Sequence, residues 1–257
     1  MKVRLDKLVL ERGLAASRER AQALILAGRV LVDGQKVEKA GATVAADSDL
    51  RLLGEELKYV SRGGLKLEKA LEHWRIDVRG RVCVDVGAST GGFTDCLLQQ
   101  GAARVLAIDT GYGQMAVRLR FDPRVRLLER TNARYLKPAE VGEPADLVVV
   151  DVSFISATLV LPAVIRAVVR GQWPVASKVG RNSRPAAGGT PALQLVVLVK
   201  PQFEAGKGKV GKGGIVRDPE VRQAAVERVR RAVEELGGRD LEVIESPILG
   251  AEGNREF

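Results

Sequence analysis

The feature that most restricts the fold is a regular alternation, from Arg81 onward, of short apolar runs with longer helical stretches. The apolar runs are short and mostly β-branched, which is typical of buried strands in a parallel sheet. Such runs occupy residues 82–86, 105–108, 125–128, 147–150, 195–199 and 241–244. Helices are predicted between them at residues 92–100, 114–120, 156–169 and 219–236. This alternation predicts an α/β domain with a doubly wound, Rossmann-like sheet.

The first part of the chain has a different pattern. Leu5, Leu8 and Val9 recur at helical spacing, and Ser17 is suited to cap a second helix. Asp33-Gly34 between two apolar runs is a strong hairpin signal. Residues 1–58 are therefore predicted to form a small α+β domain, which leaves residues 59–257 for the α/β domain.

The charge balance favours a polyanionic partner. The 257 residues include 41 Lys and Arg against 32 Asp and Glu, a formal net charge of +9. Aromatic residues make up only 4%, so RNA binding is expected to depend on phosphate contacts more than on stacked bases. Basic residues gather in the small domain, where the candidate RNA-binding side chains are Arg4, Arg18, Arg20, Arg29 and Lys36.

Several classes of protein are excluded by what the sequence lacks. Two cysteines, Cys83 and Cys96, cannot form a disulfide framework, and with one histidine there are too few ligands for a His/Cys zinc site, so no metal is expected. The chain opens with no signal-peptide pattern, and its uncharged runs fall short of a spanning helix. We expect a cytoplasmic protein with no membrane partner.

A glycine-rich loop follows the first predicted strand of the α/β domain. It reads "VDVGASTGGFTDCL" and is not the G-x-G-x-x-G dinucleotide fingerprint. Asp85 at the strand end could meet a cationic ligand, and Asp109 in "AIDTGYG" is placed to take ribose hydroxyls. This combination fits S-adenosylmethionine better than a pyrophosphate.

Several motifs together resemble a known family. The stretches "SRGGLKLEKAL", "VVVDVSFIS", "LVKPQFEAGKGKVGKGGIVRDP" and "SPILGAEGNREF" resemble the TlyA family, first described as haemolysins and similar to FtsJ-type ribosomal RNA 2′-O-methyltransferases. The stretch "RLDKLVLERGLAASRERAQALILAGRVLVDGQKV" resembles an RNA-binding module shared by a small-subunit ribosomal protein and many pseudouridine synthases.

The resemblance implies S-adenosylmethionine-dependent 2′-O-methylation of ribose, with cytidine as the usual target, in ribosomal RNA or ribosomal subunits. The implied catalytic residues are Lys66, Asp151, Lys200 and Glu256. Lys200 would act either through a depressed pKa or by stabilising a developing alkoxide. The implied cofactor-binding residues are Asp85, Gly87, Ser89, Gly91, Gly92, Phe93, Asp109 and, for the adenine edge, Asn132.

Two features depart from the family pattern. Residues 171–191, rich in Pro, Gly and Ser, form an insert that is expected to be a flexible loop; an RNA-touching role is the alternative. The chain stops at Phe257, so Glu256 is expected to lie on a frayed, shortened end where its carboxylate is poorly held. The alternative function is therefore an RNA-binding protein whose shortened methyltransferase domain is catalytically impaired.

Overall fold

The computed structural model describes residues 2–15, 17–53, 58–169, 193–206, 208–250 and 252–257. The chain divides into two units, Met1–Leu57 and Lys58–Phe257. The predicted insert at 171–191 lies outside the described residues, as does Lys207.

The described part of the first unit contains two short helices and five short strands. In chain order these are β1 Lys2–Arg4, α1 Leu5–Glu11, α2 Arg18–Leu26, β2 Val30–Val32, β3 Gln35–Lys36, β4 Thr43–Ala45 and β5 Leu50–Leu52. The strands pair as β1-β4 and as β3-β2-β5, all antiparallel. Asp33 and Gly34 join β2 to β3 with φ angles of 50° and 80°, the left-handed pair that a two-residue hairpin turn needs.

The second unit is built on a five-stranded parallel sheet. Its strands are β6 Val82–Val86, β7 Arg104–Ile108, β8 Val125–Leu128, β9 Leu147–Val150 and β10 Gln194–Val197. Their order is β10-β9-β6-β7-β8, so the winding reverses between β6 and β9. This arrangement confirms the predicted doubly wound sheet. Ligands of such sheets bind at the carboxyl ends of the strands, where the winding reverses.

Helices cover both faces of this sheet. They are α3 Gly63–His73, α4 Gly92–Gln99, α5 Val117–Arg120, α6 Pro138–Val141, α7 Ala157–Val168, α8 Pro201–Glu204 and α9 Pro219–Glu235, with 3₁₀ turns at Ala133–Tyr135 and Lys212–Gly214. Alternate residues of β6 serve the two cores: Val84 and Val86 pack with α7 and α9, and Cys83 packs with α3 and α4. No helix of the described part is long and apolar enough to cross a bilayer.

The predicted strand at 241–244 is wrong. Among the described residues, no sheet includes this segment. Leu241 packs against the core beside α9, while Val243 is 47% exposed. This segment is therefore irregular and is held to the core by some of its apolar residues. A short apolar run of this kind cannot be distinguished from a strand by composition alone.

Candidate active site at the carboxyl edge of the parallel sheet

Gly87 brings the ends of β6 and β9 together. It follows β6 with a φ of 89°, and a Cβ atom at this position would collide with the backbone carbonyl of Asp151. Only glycine combines this backbone conformation with so close an approach. The predicted cofactor loop and the predicted catalytic Asp151 therefore meet where the winding of the sheet reverses.

Lys200 is held at two points beside Asp151. Its Nζ atom lies 2.5 Å from Asp151 Oδ1 in an ion pair, at an angle that does not make a hydrogen bond, and donates to Ser153 Oγ at 2.8 Å. The side chains of Lys200 and Asp151 are 11% and 19% exposed. Two predicted catalytic residues thus form one largely buried pair, on adjacent strand ends.

Lys66 and Glu256 form a second buried pair. The Lys66 ammonium, on α3, donates to the Glu256 carboxylate, and their side chains are 12% and 3% exposed. Gly250 packs directly against this carboxylate, since a Cβ there would collide with Glu256 Oε1. Because both side chains are nearly excluded from water, each charge is stabilised mainly by the opposite charge of its partner.

The expectation that Glu256 is poorly held is wrong. Phe257 and Val199 exchange both backbone hydrogen bonds, at 2.7 and 3.0 Å, as residues opposed in an antiparallel pair do. This register places Glu256 opposite Lys200, so the two buried ion pairs adjoin at the end of β10. The buried Asn254 amide further fixes the segment, because it accepts from Val216 N and donates to the Gly214 carbonyl, both at 2.9 Å.

Glu204 is a residue of the site that sequence reasoning missed. It ends α8, which follows Lys200 directly, and it is 2% exposed. Its carboxylate accepts from Ala157 N at 2.7 Å and from Ser156 Oγ at 2.5 Å, at the start of α7. A carboxylate is favoured at a helix N-terminus. The contact ties the segment after Lys200 to the loop after Asp151, and the acidic residue in "KPQFE" was its signal.

Asp85 is buried with half of its carboxylate unpartnered. Thr94 Oγ1 donates to Asp85 Oδ2 at 2.6 Å, whereas Oδ1 is buried without a hydrogen-bond partner. Burial, with a smaller contribution from the nearby Asp151 charge, raises the pKa of Asp85 to about 7, although the Thr94 hydrogen bond opposes the shift. A bound ammonium group would satisfy the free oxygen and favour the charged carboxylate.

Asp109, after β7, is oriented by the glycine-rich loop. Its Oδ2 atom accepts from Ser89 N at 2.7 Å, and its Oδ1 atom accepts from Gly111 N at 2.6 Å. Ser89 has a φ of 48°, a left-handed conformation that turns its amide toward this carboxylate. Asn132 caps the Ala133–Tyr135 turn through a bond from Arg134 N and remains exposed.

The other predicted cofactor residues have packing roles in this structure. Gly91 has a φ of 95°, and a Cβ there would collide with Leu119. A Cβ on Gly92 would collide with Ser61, which precedes α3. Phe93 is 4% exposed and lies in the core between the sheet, α3 and α4. These residues shape the loop and seat α4 against the segment that carries Lys66.

The basic residues of the first unit are ordered by a buried acid. Asp6 is fully buried, and its carboxylate accepts from Arg4, from Arg18 at 3.0 Å and from Gln22 at 2.9 Å. These charged hydrogen bonds hold the pKa of Asp6 well below its usual range. The Arg4 and Arg18 side chains stay 46% and 45% exposed, so their positions are fixed while part of each guanidinium faces solvent.

The remaining predicted RNA-binding residues of this unit have other partners. Arg29 Nε donates to the Leu53 carbonyl at 2.9 Å, and Lys36 pairs with Glu38 at 3.0 Å. Arg20 lies in the first turn of α2, whose N-terminus is capped by Ser17. Within the described residues of the whole chain, no group of three His, Cys, Asp or Glu side chains could hold a metal ion.

Family models match both units. A model of the FtsJ-like methyltransferase matches residues 59–257, and a model of the S4 domain matches residues 3–50. Together they span most of the chain.

Individual relatives agree over the full length. The 16S/23S rRNA (cytidine-2′-O)-methyltransferase TlyA of Mycobacterium tuberculosis is 48% identical over 100% of this chain and 88% of its own. Hemolysin A of Brachyspira hyodysenteriae is 38% identical over 99% of this chain and 98% of its own. A solved structure from Streptococcus thermophilus, named there as a candidate hemolysin, has a TM-score of 0.69 at 40% identity, covering 99% of this chain and 86% of that one.

Proposed function

Because this chain belongs to the TlyA family, with an S4 domain before an FtsJ-like methyltransferase domain, we propose that it methylates ribose 2′-hydroxyls of ribosomal RNA, using S-adenosylmethionine. The proposed target nucleoside is cytidine, the one named for the Mycobacterium tuberculosis relative. We propose the cytoplasm as its place of action, which a ribosomal RNA substrate supports.

The observation that carries this proposal is the meeting of two buried ion pairs at one strand end. Lys200 with Asp151 and Lys66 with Glu256 bring together residues far apart in sequence. Burying four charged groups costs folding free energy, so their retention at a sheet edge suited to ligands supports a chemical role. The proposed catalytic set is these four residues.

Ribose hydroxyls are weak nucleophiles near neutral pH, so the site must lower the cost of removing the 2′ proton. The Lys200 Nζ atom is the proposed group for this step: as a neutral amine it would take the proton, and as an ammonium it would stabilise the developing oxyanion. Asp151 and Ser153 fix that atom in position, and Glu256 lies opposite Lys200 across the Val199–Phe257 pair. Methyl transfer is an in-line displacement, and such fixed placement supplies much of the rate.

The donor of the methyl group would be bound at the carboxyl ends of β6 and β7. S-adenosylmethionine, when bound, supplies an electrophilic methyl on a sulfonium centre. Asp85, with its unpartnered buried oxygen, fits the ammonium group of such a ligand, and the Asp109 carboxylate fits its ribose. Three carboxylates lie near one another here, those of Asp85, Asp109 and Asp151. Their combined negative charge suits a ligand that carries positive charge.

The S4 domain is proposed to dock on the RNA. Arg4 and Arg18, held by Asp6, present guanidinium groups in a fixed arrangement, which suits phosphate contacts that position an RNA without reading its sequence. Arg20, Arg29 and Lys36 are proposed to add to the same electrostatic attraction.

The experiment that tests the function is transfer of a tritiated methyl group to deproteinised ribosomal RNA, with isothermal titration of S-adenosylmethionine in parallel. We expect micromolar cofactor binding by the wild type, methyl incorporation that is lost in Lys200→Ala, and RNA affinity that is kept. An impaired RNA-binding protein would instead bind RNA with no transfer by the wild type. The burial and pairing of Glu256 disfavour that alternative.

A further inference from the structure

Two exposed tyrosines, each with an arginine over its ring, follow β7 and β8. The guanidinium carbon of Arg130 lies 4.2 Å from the Tyr112 ring centroid, and that of Arg134 lies 5.6 Å from the Tyr135 ring centroid. Tyr112 is 65% exposed and Tyr135 is 67% exposed. The chain has three tyrosines, and the third, Tyr59, is 2% exposed. Both solvent-facing tyrosines are thus paired with a cation.

These two arginines differ from their neighbours in sequence. Four nearby arginines are each bound to a protein group: Arg118 to Asp95, Arg120 to Glu129, Arg124 to Asp122, and Arg126 to the Val141 carbonyl. Arg130 and Arg134 form no ion pair with any residue in the described ranges. Neither guanidinium is therefore held by any described carboxylate in an ion pair, and each lies near an aromatic ring, where it can still contact a partner.

The backbone holds the Tyr112–Arg130 pair in place. Arg130 N donates to the Gly111 carbonyl at 3.0 Å, and Gly113 N donates to the Glu129 carboxylate at 2.7 Å, so the two loops are joined on both sides of Tyr112. Arg130 has a φ of 53°, a left-handed conformation that is costly for a side chain of this size. The surrounding hydrogen bonds maintain that conformation, and it keeps the guanidinium beside the ring.

We propose that the Tyr112–Arg130 and Tyr135–Arg134 pairs bind an unstacked, single-stranded stretch of RNA beside the nucleotide that is methylated. An exposed tyrosine ring stacks on a base, and an adjacent guanidinium contacts the phosphodiester. Both pairs lie in the segments that follow β7 and β8, at the carboxyl edge of the sheet, while Asp151 and Lys200 follow β9 and β10. This inference rests on the proposed function and adds a substrate surface within the methyltransferase domain.

Charge distinguishes this occupant from the cofactor. The proposed cofactor carries positive charge at its ammonium and sulfonium groups, and carboxylates already provide for it. Two guanidinium groups that form no ion pair among the described residues complement an anionic backbone instead. The low aromatic content predicted RNA binding mainly through phosphates. The proposed surface adds base stacking, limited to Tyr112 and Tyr135.

The test uses the full chain and a fluorescein-labelled single-stranded oligocytidylate, with binding followed by anisotropy. The double variant Tyr112→Leu/Tyr135→Leu should weaken binding about tenfold or more, and Arg130→Gln/Arg134→Gln should do the same and reduce the salt dependence. Tyr112→Phe, which keeps the ring, should stay within about twofold of the wild type. The matched control is Arg124→Gln, an arginine of the same segment that already has a carboxylate partner.

Isothermal titration of S-adenosylmethionine into the same variants completes the test. Cofactor affinity should stay within about twofold of the wild type in every variant. Unchanged oligocytidylate binding in the double leucine variant would overturn the proposal. So would a parallel loss of cofactor affinity, which would assign Tyr112 to the cofactor pocket. If the wild type transfers no methyl group to ribosomal RNA, the proposed function fails, yet the binding comparison still decides whether this surface takes RNA.

Discussion

Lys66 and Glu256, 190 residues apart in the chain, form an ion pair that is almost entirely withdrawn from solvent. Removing one member leaves the other charge buried and unpaired. Glu256→Ala should therefore lower the free energy of unfolding by about 3 to 5 kcal/mol and abolish methyl transfer. Urea denaturation and tritiated methyl incorporation measure the two effects.

The double variant Lys66→Met/Glu256→Met separates stability from chemistry. It should regain most of the lost stability, because an apolar pair of similar volume suits a buried site, while activity stays absent. The control is Arg255→Ala, which breaks an exposed pair with Glu245 and should cost at most about 1 kcal/mol. A double variant with normal turnover would exclude both residues from the catalytic set.

Glu204 should affect turnover without contacting substrate. In Glu204→Gln the Ala157 amide keeps an acceptor, but the negative charge at the start of α7 is lost, so we expect a loss of about 1 kcal/mol in stability. Because Glu204 positions the loops that carry Lys200 and Asp151, kcat should fall severalfold with little change in the KM for RNA. Glu220→Gln, an exposed first-turn glutamate of α9, serves as the control. A purely structural residue would leave kcat of the folded variant intact.

Asp85 makes stability depend on pH in an unusual direction. Its pKa is raised from 3.8 to about 7, so the folded state binds a proton more readily than the unfolded state, and stability falls as pH rises from about 4 to about 7. Asp85→Asn should be more stable than the wild type at pH 8, by on the order of 1 to 4 kcal/mol, and equal to it near pH 4. The same variant should bind S-adenosylmethionine more weakly.

Thermal unfolding between pH 4 and 8 tests this expectation. Asp77 provides a control of opposite sign, since its bond with Arg79 lowers its pKa to about 2 and its contribution is lost only as pH falls below about 4. Asp77→Asn should therefore not reproduce the pH dependence. A constant difference between Asp85→Asn and the wild type across this range would contradict the assigned shift.

Asp6 is buried, and it should affect RNA affinity through the arginines that it positions. Its pKa is depressed by Arg4, Gln22 and Arg18, so its stabilisation of the S4 domain is full above about pH 4 and is lost as pH falls further. Asp6→Asn should destabilise the domain at pH 7 and weaken ribosomal RNA binding severalfold, because both arginines lose their fixed positions. The exposed Asp49, paired with Arg51, gives the matched control Asp49→Asn. Equal RNA affinity in Asp6→Asn would show that the arginines need no positioning.

Local patterns determined most of the fold. The β-branched runs identified β6 to β10, and Asp33-Gly34 identified the β2–β3 turn, because both signals depend only on neighbouring residues. The 241–244 segment has a similar composition but pairs with no strand among the described residues, and pairing is a property of the whole sheet.

Local sequence patterns predicted less of the candidate site than of the fold. Its motifs implied Lys66, Asp151, Lys200 and Glu256, but how Glu256 is held depends on the Val199–Phe257 pairing, which adjacent residues do not encode. Glu204 was missed for the same reason: its role depends on Ala157, 47 residues earlier in the chain.

The separation in sequence between Lys66 and Glu256 has a consequence for the order of folding. The parallel sheet can form from residues up to Val197, and Lys200 already meets Asp151 beside it, whereas the Lys66–Glu256 ion pair joins residues that are 190 positions apart. Contacts of such long sequence separation form late, since loop-closure entropy must be overcome first. The parallel sheet would consequently assemble before this ion pair closes, so a nascent chain that already has the fold still lacks one half of the proposed catalytic set.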